Sequence, residues 1–99
     1  MQKIEIDKAN LDSICSEHKV DKLYLFGSAV SENMNDKSDI DLLVRFRPFD
    51  LSDYFKNYLD FKNRLQALFN REVDLIEEQS LTNPFLIKSI DQSKKLIYG

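Results

Sequence analysis

Two carboxylates stand one residue apart in "SDIDLLV", at Asp39 and Asp41, where an apolar segment opens. Side chains at i and i+2 of a strand point to the same face, so Asp39 and Asp41 project together while Ile40 and Leu42 point into a core. Two like charges this close oppose each other's ionisation. A divalent cation between them relieves that, as do basic partners or exposure at the strand end. Hard cations such as Mg2+ take oxygen ligands, commonly one or two carboxylates together with substrate phosphates. The plainer reading makes Ser38-Asp39 a turn with solvated acidic caps.

Two more features bear on the choice. Asp74 interrupts the apolar run of "EVDLIEE" between Val73 and Leu75, and an acid in such a place is costly unless it is paired or serves a site. Gly27-Ser28 directly follows the apolar run "KLYLF". A small flexible turn there lets backbone N–H groups and a hydroxyl approach a phosphate. Together these residues describe a metal and triphosphate site, with Asp39, Asp41 and Asp74 around two cations and Gly27-Ser28 facing phosphates.

The elements that must position them can be read from periodicity. Residues 7–18 carry Ala9, Leu11, Ile14 and Cys15 near helical spacing, with Asp7 as a cap. Strands are expected at 22–27, 39–46 and 72–78, the second closed by Arg47-Pro48 because proline lacks the ladder donor. From Leu51 to Phe69 the apolar residues recur at spacings of three and four, which predicts one long helix. Its aromatic stripe (Tyr54, Phe55, Tyr58, Phe61, Phe69) is expected to be core, any uncovered part being an association surface. Asn83-Pro84 starts a helix running to about Asp91, and "KLIYG" is a candidate edge strand. The order implies an α/β (α+β) fold, a small mixed sheet flanked by helices.

Composition excludes several classes. Ninety-nine residues suit a single domain, 1–99, which buries about two-thirds of its unfolded surface. The net charge of −3 argues against a general nucleic-acid binder, which shows a basic face. The N-terminus lacks the apolar core of a signal peptide, and no apolar run approaches the roughly 20 residues that span a bilayer. A cytoplasmic protein with no membrane contact is expected. Cys15 reads as a small packed hydrophobe. His18, the one histidine, reads as a cation complementing the dipole at the end of the first helix.

Gly27-Ser28, ten intervening residues, Asp39-x-Asp41 and the later Asp74 resemble the signature of the nucleotidyltransferase superfamily of the DNA-polymerase-β type. "LYLFGS" and "SDIDLLV" are similar in residue type and spacing to the minimal nucleotidyltransferases, the antitoxin partners of HEPN-domain toxins. The resemblance covers residues 20–78, and "NPFLIKSI…KKLIY" looks like that family's closing helix and strand. It implies a nucleotidyltransferase fold and transfer of AMP from ATP, with two Mg2+ ions, to a tyrosine hydroxyl of a cognate HEPN toxin. It further implies that Asp39, Asp41 and Asp74 are the metal-binding and catalytic carboxylates, with Gly27 and Ser28 on the β/γ phosphates. Ala29, Val30, Ser31 and Glu32 stand where family members often carry arginines and a glycine. That departure keeps a rival open, an antitoxin that neutralises by binding alone. Transfer to a small molecule is a third reading, although such enzymes normally carry a further substrate-binding domain.

Overall fold

The computed structural model describes residues 6–27 and 39–99. The first helix, α1 (Lys8–Glu17), starts where Asp7 accepts the Asn10 N–H at 3.2 Å and ends at His18. Strands β1 (Val20–Phe26) and β2 (Ile40–Phe46) follow, then a turn of 3-10 helix (Leu51–Asp53) that runs into α2 (Tyr54–Phe69). Beyond it come β3 (Val73–Glu77), α3 (Pro84–Ser93) and β4 (Lys95–Tyr98). Asn83 caps α3 through its side chain, and Pro84 occupies the first turn, where its missing N–H costs nothing. Asn70 ends α2 in the left-handed conformation at φ 54°, a role that asparagine fills where glycine is absent.

The strands form one sheet in the order β3-β2-β1-β4. β1 lies between antiparallel partners β2 and β4, and β3 runs parallel to β2. The sheet is therefore mixed and flanked by helices, as the element order implied, with "KLIY" as an edge strand. Lys8 Nζ donates to the Ile97 carbonyl of that edge at 2.8 Å.

Strand alternation divides the core between the two faces. Ile40, Leu42, Val44 and Phe46 of β2 join Leu23 and Leu25 of β1, Val73 and Leu75 of β3, and residues of α1 and α2 in the main core. On the opposite face Leu43 and Phe26 pack with Ile90 of α3, flanked by Tyr24, Ile76 and Leu81. Phe61 is wholly buried at the centre of the main core, with its ring centroid 5.9 Å from that of Phe46 and 5.5 Å from the His18 imidazole.

Only part of the aromatic stripe is core. Phe61 and Leu65 are buried, and Tyr54, Tyr58, Leu68 and Phe69 pack against them. Phe55 is 70% exposed and Leu51 84%. Each helical step turns about 100°, so the row 54, 58, 61, 65, 68 faces the sheet and Phe55 is carried round to the outside.

His18 also differs from expectation. It does cap α1, but its ring is buried, with Nδ1 2.7 Å from the Ile14 carbonyl and Nε2 2.7 Å from Asp60 Oδ2 on α2. Its own carbonyl accepts from the Asn57 amide at 2.8 Å. It thus links α1 to α2 besides ending a helix. Cys15 is buried as expected, and burial pushes its thiol up to about 12.

Candidate active site

Asp41 projects onto the α3 face of the sheet, because Leu43, two residues on, packs there with Ile90. Asp74 is its register partner in the parallel pairing of β2 with β3, and Ile76, two residues on, lies in the same small cluster. The acids of two separate sequence segments therefore stand side by side on adjacent strands, which are about 4.8 Å apart. Asp39 lies exposed one residue ahead of β2, in line with Asp41. Asp41 is half-buried and Asp74 exposed.

Gly27 completes the arrangement from the other side. Phe26 pairs with Asp41 across the antiparallel ladder, so β1 delivers the residue after Phe26 to the edge of the carboxylate row. Gly27 adopts φ +61°, and a Cβ built on it would lie 2.5 Å from Asp41 Oδ2. Both the dihedral and the close approach require glycine. Ser28, the other residue expected to face phosphates, lies outside the described residues, as does the 29–38 segment.

The site residues thus come together in part. Asp41 lies against Gly27 and is the register partner of Asp74, and Asp39 precedes its strand by one residue. Among the described residues no group of three or more His, Cys, Asp or Glu side chains is gathered closely enough to hold a metal ion by itself. The donors nonetheless suit a hard divalent cation. They are carboxylate oxygens only, they share one sheet face, and the Gly27 backbone leaves room at Asp41 Oδ2.

On the same face a groove of about 320 Å³ opens between α3 and the sheet, walled by Leu43, Leu81, Ile87 and Ile90 with Glu78 and Lys94 at its polar side. Lys94 pairs with Asp91 at 2.8 Å and lies over the Tyr24 ring at 4.5 Å. The Asp91 hydrogen bond holds its ammonium above the usual lysine range. Sequence reading did not single out Lys94 or Glu78. Glu78 was visible in principle as an acid four residues beyond Asp74, in the turn that follows the strand.

A small mixed sheet sets paired acids beside a glycine turn, an arrangement suited to metal-assisted phosphoryl chemistry. The chain matches the family model described as Polymerase beta, Nucleotidyltransferase over residues 9–99, and it belongs to that family. A curated relative from Methanocaldococcus jannaschii, named "Putative protein adenylyltransferase", is 34% identical over 96 residues, covering 95% of this chain and 91% of the relative. A solved structure titled "Structure of putative minimal nucleotidyltransferase" superposes with a TM-score of 0.72 at 27% identity, covering 89% of this chain and 85% of that one.

Two more distant structures share the fold. A toxin-antitoxin structure with AMP-PNP has a TM-score of 0.71 at 21% identity, covering 95% of this chain and 74% of that one. The structure of a tri-AMPylated Shewanella oneidensis HEPN toxin in complex with an MNT antitoxin has a TM-score of 0.61 at 20% identity, covering 93% of this chain and 69% of that one. The chain is a nucleotidyltransferase. No helix among its described residues is long and apolar enough to cross a membrane.

Proposed function

We propose that this nucleotidyltransferase moves AMP from ATP, with Mg2+, onto a tyrosine hydroxyl of a cognate HEPN toxin and thereby acts as its antitoxin. The observation that carries this reading is the in-register pairing of Asp41 with Asp74 beside Gly27. The adenylyltransferase relatives, the fold shared with a structure holding AMP-PNP and the fold shared with an antitoxin bound to an AMP-bearing HEPN toxin support its finer parts.

In this reading Asp39, Asp41 and Asp74 would hold the metal ions. Bound Mg2+ would neutralise phosphate charge and acidify the attacking hydroxyl. Asp74, on the exposed side of the row, takes the proton from the acceptor hydroxyl. The hydroxyl oxygen then bonds to the α-phosphorus while the bond from that phosphorus to the β-phosphate bridge breaks. Gly27 and Ser28 hold the β/γ phosphates so that pyrophosphate departs in line.

The sheet face with its shallow groove leaves room for the acceptor to arrive on another molecule. Incubation with labelled ATP, Mg2+ and the partner toxin tests the reading. Label on the toxin, with a mass gain of whole AMP groups, is expected for the native chain, and none for Asp39→Asn with Asp41→Asn. The absence of arginine in the four residues after Ser28 favours the second reading, neutralisation by binding alone. That reading wins if the double variant neutralises the toxin as well as the native chain does.

A further inference from the structure

Strand β3 carries Asp74 yet has only five residues and lies at the sheet's edge. Among the described residues its one strand partner is β2. Ile40 N–H donates to the Glu72 carbonyl at 3.0 Å, so the alternation of a parallel ladder turns the backbone of 72, 74 and 76 toward β2. The backbone groups of Val73, Leu75 and Glu77 then face the free edge. Such groups are normally left to water or to another strand.

Here α2 takes them. Gln66 Oε1 accepts the Val73 N–H at 3.2 Å. The Tyr58 hydroxyl donates to the Leu75 carbonyl. One turn earlier, the Tyr54 hydroxyl donates to Glu77 Oε2 at 3.0 Å. The two bonds to backbone bracket Asp74, one on the residue before it and one on the residue after. Tyr58 and Gln66 are both half-buried and Val73 and Leu75 are buried, so water competes poorly for these groups.

We propose that Tyr58 and Gln66 are positioning residues for nucleotidyl transfer. They clamp the free edge of β3 so that Asp74 stays level with Asp41, and they act only through that strand. This inference rests on the reading of Asp74 as a metal-binding and catalytic carboxylate. It adds that the precision of the carboxylate pair comes from α2 and not from β-pairing alone. The arrangement follows from an elementary asymmetry. Asp41 sits in a strand hydrogen-bonded on both sides, whereas Asp74 has a ladder on one side and needs substitutes on the other.

The test uses Tyr58→Phe, which keeps the packed ring and removes only the hydroxyl, together with Gln66→Leu and Gln66→Glu. Gln66→Glu retains an acceptor oxygen at the same reach and should restore what Gln66→Leu loses. Three readouts are taken on the intact chain: amide hydrogen exchange by NMR, Mn2+ binding by calorimetry, and steady-state adenylyl transfer. Each lost bond to a backbone group is worth a factor of about five. Exchange at Val73, whose N–H Gln66 accepts, should therefore quicken about fivefold in Gln66→Leu, and exchange at Asp74 and Ile76, whose N–H groups face β2, in each single variant and more in the pair, with Leu23 and Leu25 of β1 unchanged. Mn2+ affinity and kcat should fall in step, with KM for ATP nearly constant.

If exchange in β3 and Mn2+ affinity both stay native in Tyr58→Phe with Gln66→Leu, the clamp does not exist. If β1 and β3 loosen equally, the two residues are general packing and the proposal fails. Should the pair not fold, Tyr58→Phe alone decides by the same exchange criterion. Asp74→Asn is run in parallel. Native Mn2+ binding and transfer in that variant would overturn the assignment of Asp74 itself, and with it the catalytic consequence of the clamp, whereas the exchange data judge the clamp independently.

Discussion

Gly27→Ala probes the site through backbone sterics without removing any functional group. At φ +61° an L-residue suffers a clash between its Cβ and the backbone, worth about 1–2 kcal/mol. In addition the new Cβ would sit 2.5 Å from Asp41 Oδ2 and 3.4 Å from its Cγ. The carboxylate must then rotate off its rotamer, at about 0.5–1.5 kcal/mol. The sum is about 1.5–3.5 kcal/mol, which for a domain of this size lowers Tm by roughly 6–28 °C.

The two contributions separate in a double-mutant cycle. In an Asp41→Ala background the second clash disappears, so Gly27→Ala should there cost only the dihedral part, leaving a coupling of about 1 kcal/mol. Thermal melts of the four proteins measure it, and Mn2+ titration reports whether the displaced Asp41 still binds. Equal costs in both backgrounds, or native Mn2+ affinity in Gly27→Ala, would refute the claim that Gly27 makes room for that carboxylate.

Other outcomes are equally specific. Asp39→Asn with Asp41→Asn should abolish Mn2+ binding and transfer while the chain still melts cooperatively, checked by calorimetry and circular dichroism. The His18 hydrogen bond holds the Asp60 carboxyl below the ordinary aspartate value of 3.8. A group depressed in the folded state contributes stability that is complete above its unfolded pKa and lost as pH falls through the folded one. Urea midpoints of the native chain should therefore drop below about pH 4 more steeply than those of Asp60→Asn. Cys15, with its thiol pushed up to about 12 by burial, should resist alkylation at pH 8 in the native state and react as fast as a free thiol in urea. Phe61→Ala, which empties the centre of the main core, should cost about 3–5 kcal/mol by denaturant titration, whereas Phe55→Ala should stay within about 0.5 kcal/mol.

The order of elements was legible because hydrophobic period is a local property. "DIDLLVRF" opens on two acids one residue apart and continues as an apolar run, 51–69 repeats at helical spacing, and Asp7, Asn83 and Pro84 mark helix starts by their own chemistry. The placement of Asp39 and Asp41 on one face followed from the alternation of side chains along a strand. That Asp74 stands opposite Asp41 did not follow, since parallel register depends on how α2 returns the chain to the sheet. Nor could sequence tell Phe55 from Tyr58, both apolar and both on the long helix. The difference is one helical step relative to a sheet whose orientation sequence does not state. His18 was placed correctly at a helix end, yet its second partner, Asp60, lies 42 residues away and no local pattern announces it.

Strand β1 occupies the middle of the sheet but its two neighbours arrive at very different times. Residues 40–46 of β2 follow β1 closely along the chain, while the β4 residues Lys95–Tyr98 come only after everything else described. During synthesis, then, one flank of β1 stays open while α2, β3 and α3 are made. That flank displays unpaired backbone beside Leu23 and Leu25, an invitation to foreign strands in a crowded cell. Ile97 buries itself only when β4 docks, so the residues of β4 act as a late closing stitch. Removing them should leave a chain with its helices and carboxylate row encoded but with a tendency to aggregate as it is made.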